Sequence, residues 1–394
     1  MILPGSFCSS LSPPHLGILP GSSSTLGILG GGQLGRMFAM AARTLGYQVI
    51  VLDPDPHSPA AHFADQHIIA DFSDQRALEA FGKACAAIST EFENVPADSL
   101  RFLAQRCTVR PDAEAVAISQ DRISEKQFFT AHDFPCAHYA VIRSRDDIAP
   151  AMRQIGTAGL LKRSQLGYDG KGQARVSSLD EALQAFDDMG SAPCILEELL
   201  PLELEISVVL ARGADAQMAV FPVAENQHRN GILDITLAPA RIPETLAEQA
   251  RHIATQLAGR LNYCGVLAVE FFVVAGGRLL INEIAPRPHN SGHYTLDACV
   301  TSQFEQQVRT LCGLPLGDTR LLSPAVMVNL LGDLWDVDMP HWEHVLACPQ
   351  AKLHLYGKRE ARPGRKMGHY TVVDATLENA LALALEIKRR IGGG

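Results

Sequence analysis

Two glutamates and one lysine stand in this sequence at spacings that could do chemistry. In "VLAVEFFVVAGGRLLINEIAP" (266–286) two apolar runs flank Gly276 and Gly277. If those glycines make a two-residue hairpin turn, Glu270 falls directly opposite Glu283. Opposed residues share a face with Cβ atoms about 4.5–5.5 Å apart, where like charges repel. Something cationic is therefore expected between them. A hard divalent ion suits the place, because Mg²⁺ takes a few carboxylates and completes its shell with phosphate oxygens and water. The plain alternative is a register slip that leaves both glutamates in water.

The lysine is Lys162, at the end of an apolar strand in "GLLKRSQLGYDGKGQ". Gly167, Gly170 and Gly172 free the loop that follows, so its N–H groups can approach phosphate oxygens while the lysine adds a point charge. The pattern is not the G-x-x-x-x-G-K-[ST] of a P-loop, and on its own it also reads as an ordinary turn. In "CILEELLPLELEISVV" two strands meet near Glu197, Glu198, Glu203 and Glu205, which taken alone are a solvent face.

A third segment, "LGILGGGQLGRM", puts Gly30, Gly32 and Gly35 at dinucleotide-binding spacing, with Asp53 after the next strand as a ribose acid. That would suit an NAD-dependent oxidoreductase. Yet no segment supplies its acid or base and nicotinamide pocket, and the opposed carboxylates stay unexplained. A non-enzymatic ATP-binding regulator is a further alternative, disfavoured by an intact carboxylate pair.

The elements that must position these groups alternate. "TLGILGG", "YQVIVLD" and "AAISTEF" read as strands, separated by helices in "GRMFAMAARTLG" and "QRALEAFGKA", which makes a parallel α/β unit. Its last helix is "SEKQFFTAH". A second unit runs to about Gly313. A third holds the strands "PAVMVNLLG" and "AKLHLYGK", the basic loop "REARPGRKMGH" and a closing helix "LENALALALEIKRRIG".

The chain has 394 residues, enough for two or three domains, with 47% hydrophobic and 20% charged residues as in globular proteins. A net charge of -9 disfavours nucleic acid or an anionic membrane as the main partner. The nine cysteines are scattered without a C-x-x-C pair, as expected of reduced thiols in a cytoplasmic protein. No apolar run approaches the ~20 residues of a membrane span. The first 25 residues, rich in Pro, Gly and Ser and without a basic start, read as a flexible extension, in part an early start codon, with a secretion signal as the much less favoured alternative.

Taken in order, "GGGQLGRM", "TEFENVP", "QDRISEK", "GYDGKGQ", "LEE…LEIS", "VEFFV…LLINEIAPRPHNSGH" and "RPGRKMGHY" resemble the ATP-grasp family of 5-(carboxyamino)imidazole ribonucleotide synthases, from about Thr25 to the C-terminus. The resemblance implies an α/β, three-domain architecture. Residues 1–25 would be the extension, 26–123 a Rossmann-like pre-ATP-grasp parallel sheet, 124–313 a two-lobed ATP-grasp, and 314–394 a small β-rich domain.

It also implies roles. ATP would meet Arg122, Lys162, the loop Gly167, Tyr168, Asp169, Gly170, Lys171, Gly172 and Gln173, then Glu197, Glu198, Leu199 and Leu200 at the adenine edge. Glu205 would take the ribose, with His228, Asn282 and Glu283 lining the site. Glu270 and Glu283 would hold Mg²⁺, with Mn²⁺ as an alternative, and act with Lys162 in catalysis. 5-Aminoimidazole ribonucleotide would lie near Gln33, Leu34, Glu91 and Asn290, its phosphate on Lys358, Arg365 and Lys366.

Bicarbonate would attack the γ-phosphoryl of ATP to give carboxyphosphate, and the ribonucleotide amine would take the carboxyl group while the glycine lid keeps water away. A cytoplasmic homodimer is implied, with no nucleic-acid or membrane partner. A related grasp enzyme that formylates glycinamide ribonucleotide would share the ATP site, but "HNSGH" and "RPGRKMGH" fit the aminoimidazole enzymes better. Leu166 stands where the family has a lid glycine, which bears on turnover more than identity, and Ser89-Thr90-Glu91 replaces the usual T-Y-E. Changing either Glu270 or Glu283 to Gln is expected to stop turnover and leave the fold intact or steadier, since a like-charge pair is relieved.

Overall fold

The computed structural model describes residues 17–21, 24–92, 94–156, 158–165, 172–335 and 339–392. Its first sheet is built from β1 (Thr25–Leu29), β2 (Gln48–Leu52), β3 (Gln66–Ile68), β4 (Ala87–Thr90) and β5 (Thr108–Val109), all parallel in the order β3-β2-β1-β4-β5. The intervening helices α1 (Gln33–Thr44), α2 (Gln75–Ala84), α3 (Ala97–Ala104) and α4 (Ala113–Gln120) include both that the periodicity predicted. Asp74 and Asp112 accept N–H bonds at the starts of α2 and α4, which fixes where those helices begin. Gly35 is required by packing, because a Cβ there would run into the carbonyl oxygen of Gly30.

α5 (Arg122–Ala131), capped by Asp121, leads to a four-stranded antiparallel sheet. Its strands β6 (Tyr139–Ile142), β7 (Gly159–Arg163), β8 (Gln173–Val176) and β9 (Cys194–Glu198) run in the order β6-β9-β7-β8. α6 (Ile148–Ile155) and α7 (Leu179–Asp188) cover it through Ile148, Ala151, Ala182 and Phe186.

The third sheet has nine strands: β10 (Leu202–Arg212), β11 (Met218–Val220), β12 (Ala224–Arg229), β13 (Ile232–Ala238), β14 (Gly265–Val274), β15 (Arg278–Ala285), β16 (Ala325–Leu331), β17 (Ala351–Leu355) and β18 (Lys366–Val373). β13 pairs with β16, so the C-terminal strands extend the grasp sheet itself. α8 (Glu244–Arg260) buries Ala254 and Leu257 against Leu267, Val269 and Phe271 of β14. Val266 and Ala268, on the opposite face, pack with Tyr294 and with Ala298 of α9 (Thr295–Ala298). By the two-residue period of a strand, Glu270 belongs to this second face, away from the α8 core.

α10 (Gln303–Cys312) joins the units. Val308, Leu311 and Cys312 enter the core of the first sheet, and Gln307 Nε2 donates to Ser89 Oγ at 3.0 Å. α11 (Glu343–Leu346) and α12 (Leu377–Ile391) close the C-terminal end, α12 burying Ala380, Ala384 and Ile387 against Val326 and Val328.

Candidate active site

Glu270 does stand opposite Glu283, by a different route from the one expected. The turn is a three-residue loop, with Val274 opposite Arg278 and with Gly276 and Gly277 at φ of 80° and 70°. The register then shifts at a bulge, with Phe271 opposite Ile281 and Asn282 as the extra residue. Without that bulge Glu283 would continue the face of Leu279 and Ile281, which pack in the α8 core. The extra residue turns Glu283 onto the face of Ala285 and Glu270.

Each carboxylate has a nitrogen partner of its own, and one of the two, Arg122, is a cation. His289 Nε2 lies 2.9 Å from Glu270 Oε1, and Arg122 donates to Glu283 Oε2 at 2.8 Å. Burial alone would raise the Glu270 pKa, but His289, His228 and Lys366 outweigh it and bring the carboxyl down to about 2. Asn282 Oδ1 is buried with no hydrogen-bond partner among the described residues. Two carboxylates and an orphaned amide oxygen make an all-oxygen donor set that fits a hard cation.

Arg122 opens α5, and Glu125, Lys126 and Phe129 follow on the same face at i+3, i+4 and i+7. Glu125 Oε1 accepts the Ile284 N–H at 2.8 Å, fastening α5 to β15, and its own burial raises its pKa to about 8. Lys162 on β7 reaches Glu197 Oε2 at 2.5 Å, and Lys126 lies 2.8 Å from Glu197 Oε1. Burial would raise the Glu197 pKa, but the two ammonium groups carry it down to about 2. Burial also lowers the Lys162 pKa, against the opposing pull of Glu197.

Glu205 and His228 sit on neighbouring strands β10 and β12, with Glu205 Oε2 and His228 Nδ1 3.0 Å apart. Burial lowers the His228 pKa, yet Glu205 turns the net shift upward. Gln173 pairs with Lys162 across β8 and β7, and Gly172 stands beside them at φ 71°. Glu198 is engaged elsewhere, accepting the His138 N–H at 2.9 Å, and Leu199 is exposed beyond it, before Leu200. Gly167, Tyr168, Asp169, Gly170 and Lys171 lie outside the described residues, as does Leu166.

Of the other predicted group, Gln33, Leu34, Glu91 and Lys358 gather at α1 and the turn before it. Lys358 Nζ donates to Gln33 Oε1 and to the Lys366 carbonyl, both at 2.6 Å, and Leu34 packs with Phe304 and Tyr356. Arg365 is next in the chain and donates to the Glu360 carbonyl at 2.8 Å. Asn290 is buried in a reciprocal amide pair with Asn329 of β16. Glu91 is held by the opening glycines: Gly32 N–H donates to Oε1 at 2.7 Å and Gly35 N–H to Oε2 at 3.3 Å. Asp53 accepts the Gly31 N–H at 2.6 Å. The dinucleotide-like turn therefore spends these three N–H groups on the chain's own carboxylates.

Lys126, Glu125 and His289 were missed from the sequence. The i+4 spacing of Lys126 from Arg122 is the one signal that pointed to it. His289 lies within the quoted "HNSGH", but nothing local ties it to Glu270, which comes from β14.

Residues 127–304 match the ATP-grasp domain family, 23–120 the ribonucleotide synthetase preATP-grasp domain, and 325–383 the phosphoribosylaminoimidazole carboxylase C-terminal domain. The segment that carries Lys162, Glu197, Glu270 and Glu283 is thus that of an ATP-grasp ligase. N5-carboxyaminoimidazole ribonucleotide synthase of Brucella melitensis biotype 1 is 47% identical over 88% of this chain and 96% of its own length, and that of Bacillus subtilis strain 168 is 42% identical over 90% and 92%. The chain belongs to the N5-carboxyaminoimidazole ribonucleotide synthase family, ligases that form a C–N bond. Among solved structures, an ADP complex of such a synthetase is 42% identical, with a TM-score of 0.88 over 95% of this chain and 98% of that one. The Aspergillus clavatus synthase, in complex with ADP and 5-aminoimidazole ribonucleotide, is 29% identical with a TM-score of 0.87 over 93% and 98%. Among the described residues no helix is long and apolar enough to cross a membrane.

Proposed function

We propose that this chain carboxylates 5-aminoimidazole ribonucleotide with bicarbonate and ATP, giving the N5-carboxyamino product, ADP and phosphate. A bicarbonate oxygen attacks the γ-phosphorus as its bond to ADP breaks. The ribonucleotide amine then bonds to the carboxyl carbon of carboxyphosphate, or to CO₂ released from it, as phosphate leaves and the amine loses a proton. Such transfer needs alignment and neutralised charge more than covalent help.

Arg122 and Lys162 present positive charge to the polyphosphate, Glu197 to Leu200 border the adenine, and Glu205 and His228 take the ribose. Glu270, Glu283 and Asn282 Oδ1 would hold Mg²⁺, which when bound neutralises phosphate charge. Gln33, Leu34, Glu91 and Asn290 line the ribonucleotide site, with Lys358, Arg365 and Lys366 at its phosphate. Family likeness further supports a homodimer in the cytoplasm.

The observation that carries this reading is the facing pair Glu270 and Glu283 beside the unpartnered Asn282 oxygen, joined through α5 to Lys162. Phosphate release tests it with each of Mg-ATP, the aminoimidazole ribonucleotide and bicarbonate omitted in turn. Release is expected only with all three. Release that instead requires formate and glycinamide ribonucleotide would overturn the reading.

A further inference from the structure

Lys126 has no part in the roles given so far. Its side chain is 1% exposed, beneath Lys162 at 7%, and the two ammonium groups share Glu197. Its Nζ also donates to the Asn282 carbonyl at 3.0 Å, on the strand that carries Glu283. One helix residue thus touches both the small sheet, at β9, and the metal-side hairpin.

A buried carboxylate that loses its partner is strongly destabilising. Lys162, the more accessible ammonium, cannot turn toward a phosphate without giving up part of its contact with Glu197. A second, inaccessible cation on the other oxygen removes that obstacle. We infer that Lys126 is a positioning residue for phosphoryl transfer: it stays on Glu197 as a resident counter-ion, freeing Lys162 for ATP, and holds β15 in register through the Asn282 carbonyl. This rests on the proposed ATP chemistry, and wild-type turnover checks that separately.

The test compares K126M, K126R and K126M/E197Q by calorimetric titration with Mg-ADP and by steady-state kinetics. K126M leaves Glu197 to Lys162 alone, so ADP affinity should fall and the KM for ATP rise by about tenfold or more, with the KM for the ribonucleotide unchanged. K126R should recover most of the loss. K126M/E197Q removes one charge of each sign and releases Lys162, so it should bind ADP more tightly than K126M and within about tenfold of wild type. If K126M does not fold, the double variant alone decides by that last comparison. Wild-type ADP affinity in K126M, equal rises in both KM values, or a double variant weaker than K126M would each overturn the inference.

Discussion

Glu270 and Glu283 face each other across β14 and β15, yet each has its own nitrogen partner, the His289 imidazole at 2.9 Å and the Arg122 guanidinium at 2.8 Å. The pair is therefore not a bare repulsion waiting for a metal, which revises the expectation that a glutamine would steady the fold. Glu283→Gln takes the carboxylate from Arg122, a guanidinium in a largely buried setting. It should stop turnover and also lower stability, by about 1–3 kcal/mol. Thermal unfolding of E283Q checks this, and a raised Tm would contradict it.

The hairpin also marks how much was legible. The pairing of Glu270 with Glu283 was inferred from a two-residue turn, but a three-residue loop and a one-residue bulge each shift the register by one and cancel. Positive φ at two successive glycines suits both turn types, and nothing in "LLINEIA" marks Asn282 as a bulge. The parallel unit was readable because its apolar runs and helical periods are local. The Lys126–Glu197–Lys162 arrangement was not, because its members come from one helix and two strands far apart in the chain.

His293 and His369 are fully buried, and burial above all holds both pKa values well below 6.5. A lowered pKa means that the unfolded chain binds the proton more tightly. Stability therefore falls as pH drops through about 6.5, by about 1.4 kcal/mol per pH unit for each histidine. H369N should unfold with a shallower decline than wild type between pH 6.5 and 5. Parallel profiles would contradict this.

Glu125 is the opposite case, with its pKa raised by burial from 4.5 to about 8. A raised carboxyl contributes stability at low pH that is lost as pH climbs toward 8. Gln at this position keeps an oxygen for the Ile284 N–H without the titration. E125Q should show a higher Tm than wild type at pH 8.5, with the gap closing by pH 5.

Lys358 bridges Gln33 and the Lys366 carbonyl, where we propose that the ribonucleotide phosphate binds. Losing one charged hydrogen bond there is worth about 1.5–3 kcal/mol. K358M should raise the KM for the ribonucleotide roughly 10–100-fold while that for ATP stays put. Equal rises in both would place Lys358 outside that pocket.

The step at the centre of the proposed reaction joins bicarbonate to the γ-phosphoryl group. Turnover of ¹⁸O-labelled bicarbonate with unlabelled ATP and the aminoimidazole ribonucleotide, followed by mass analysis of the phosphate, measures that step. One bicarbonate oxygen is expected in each phosphate released; phosphate free of label, with carboxylated product formed, would contradict the proposed chemistry.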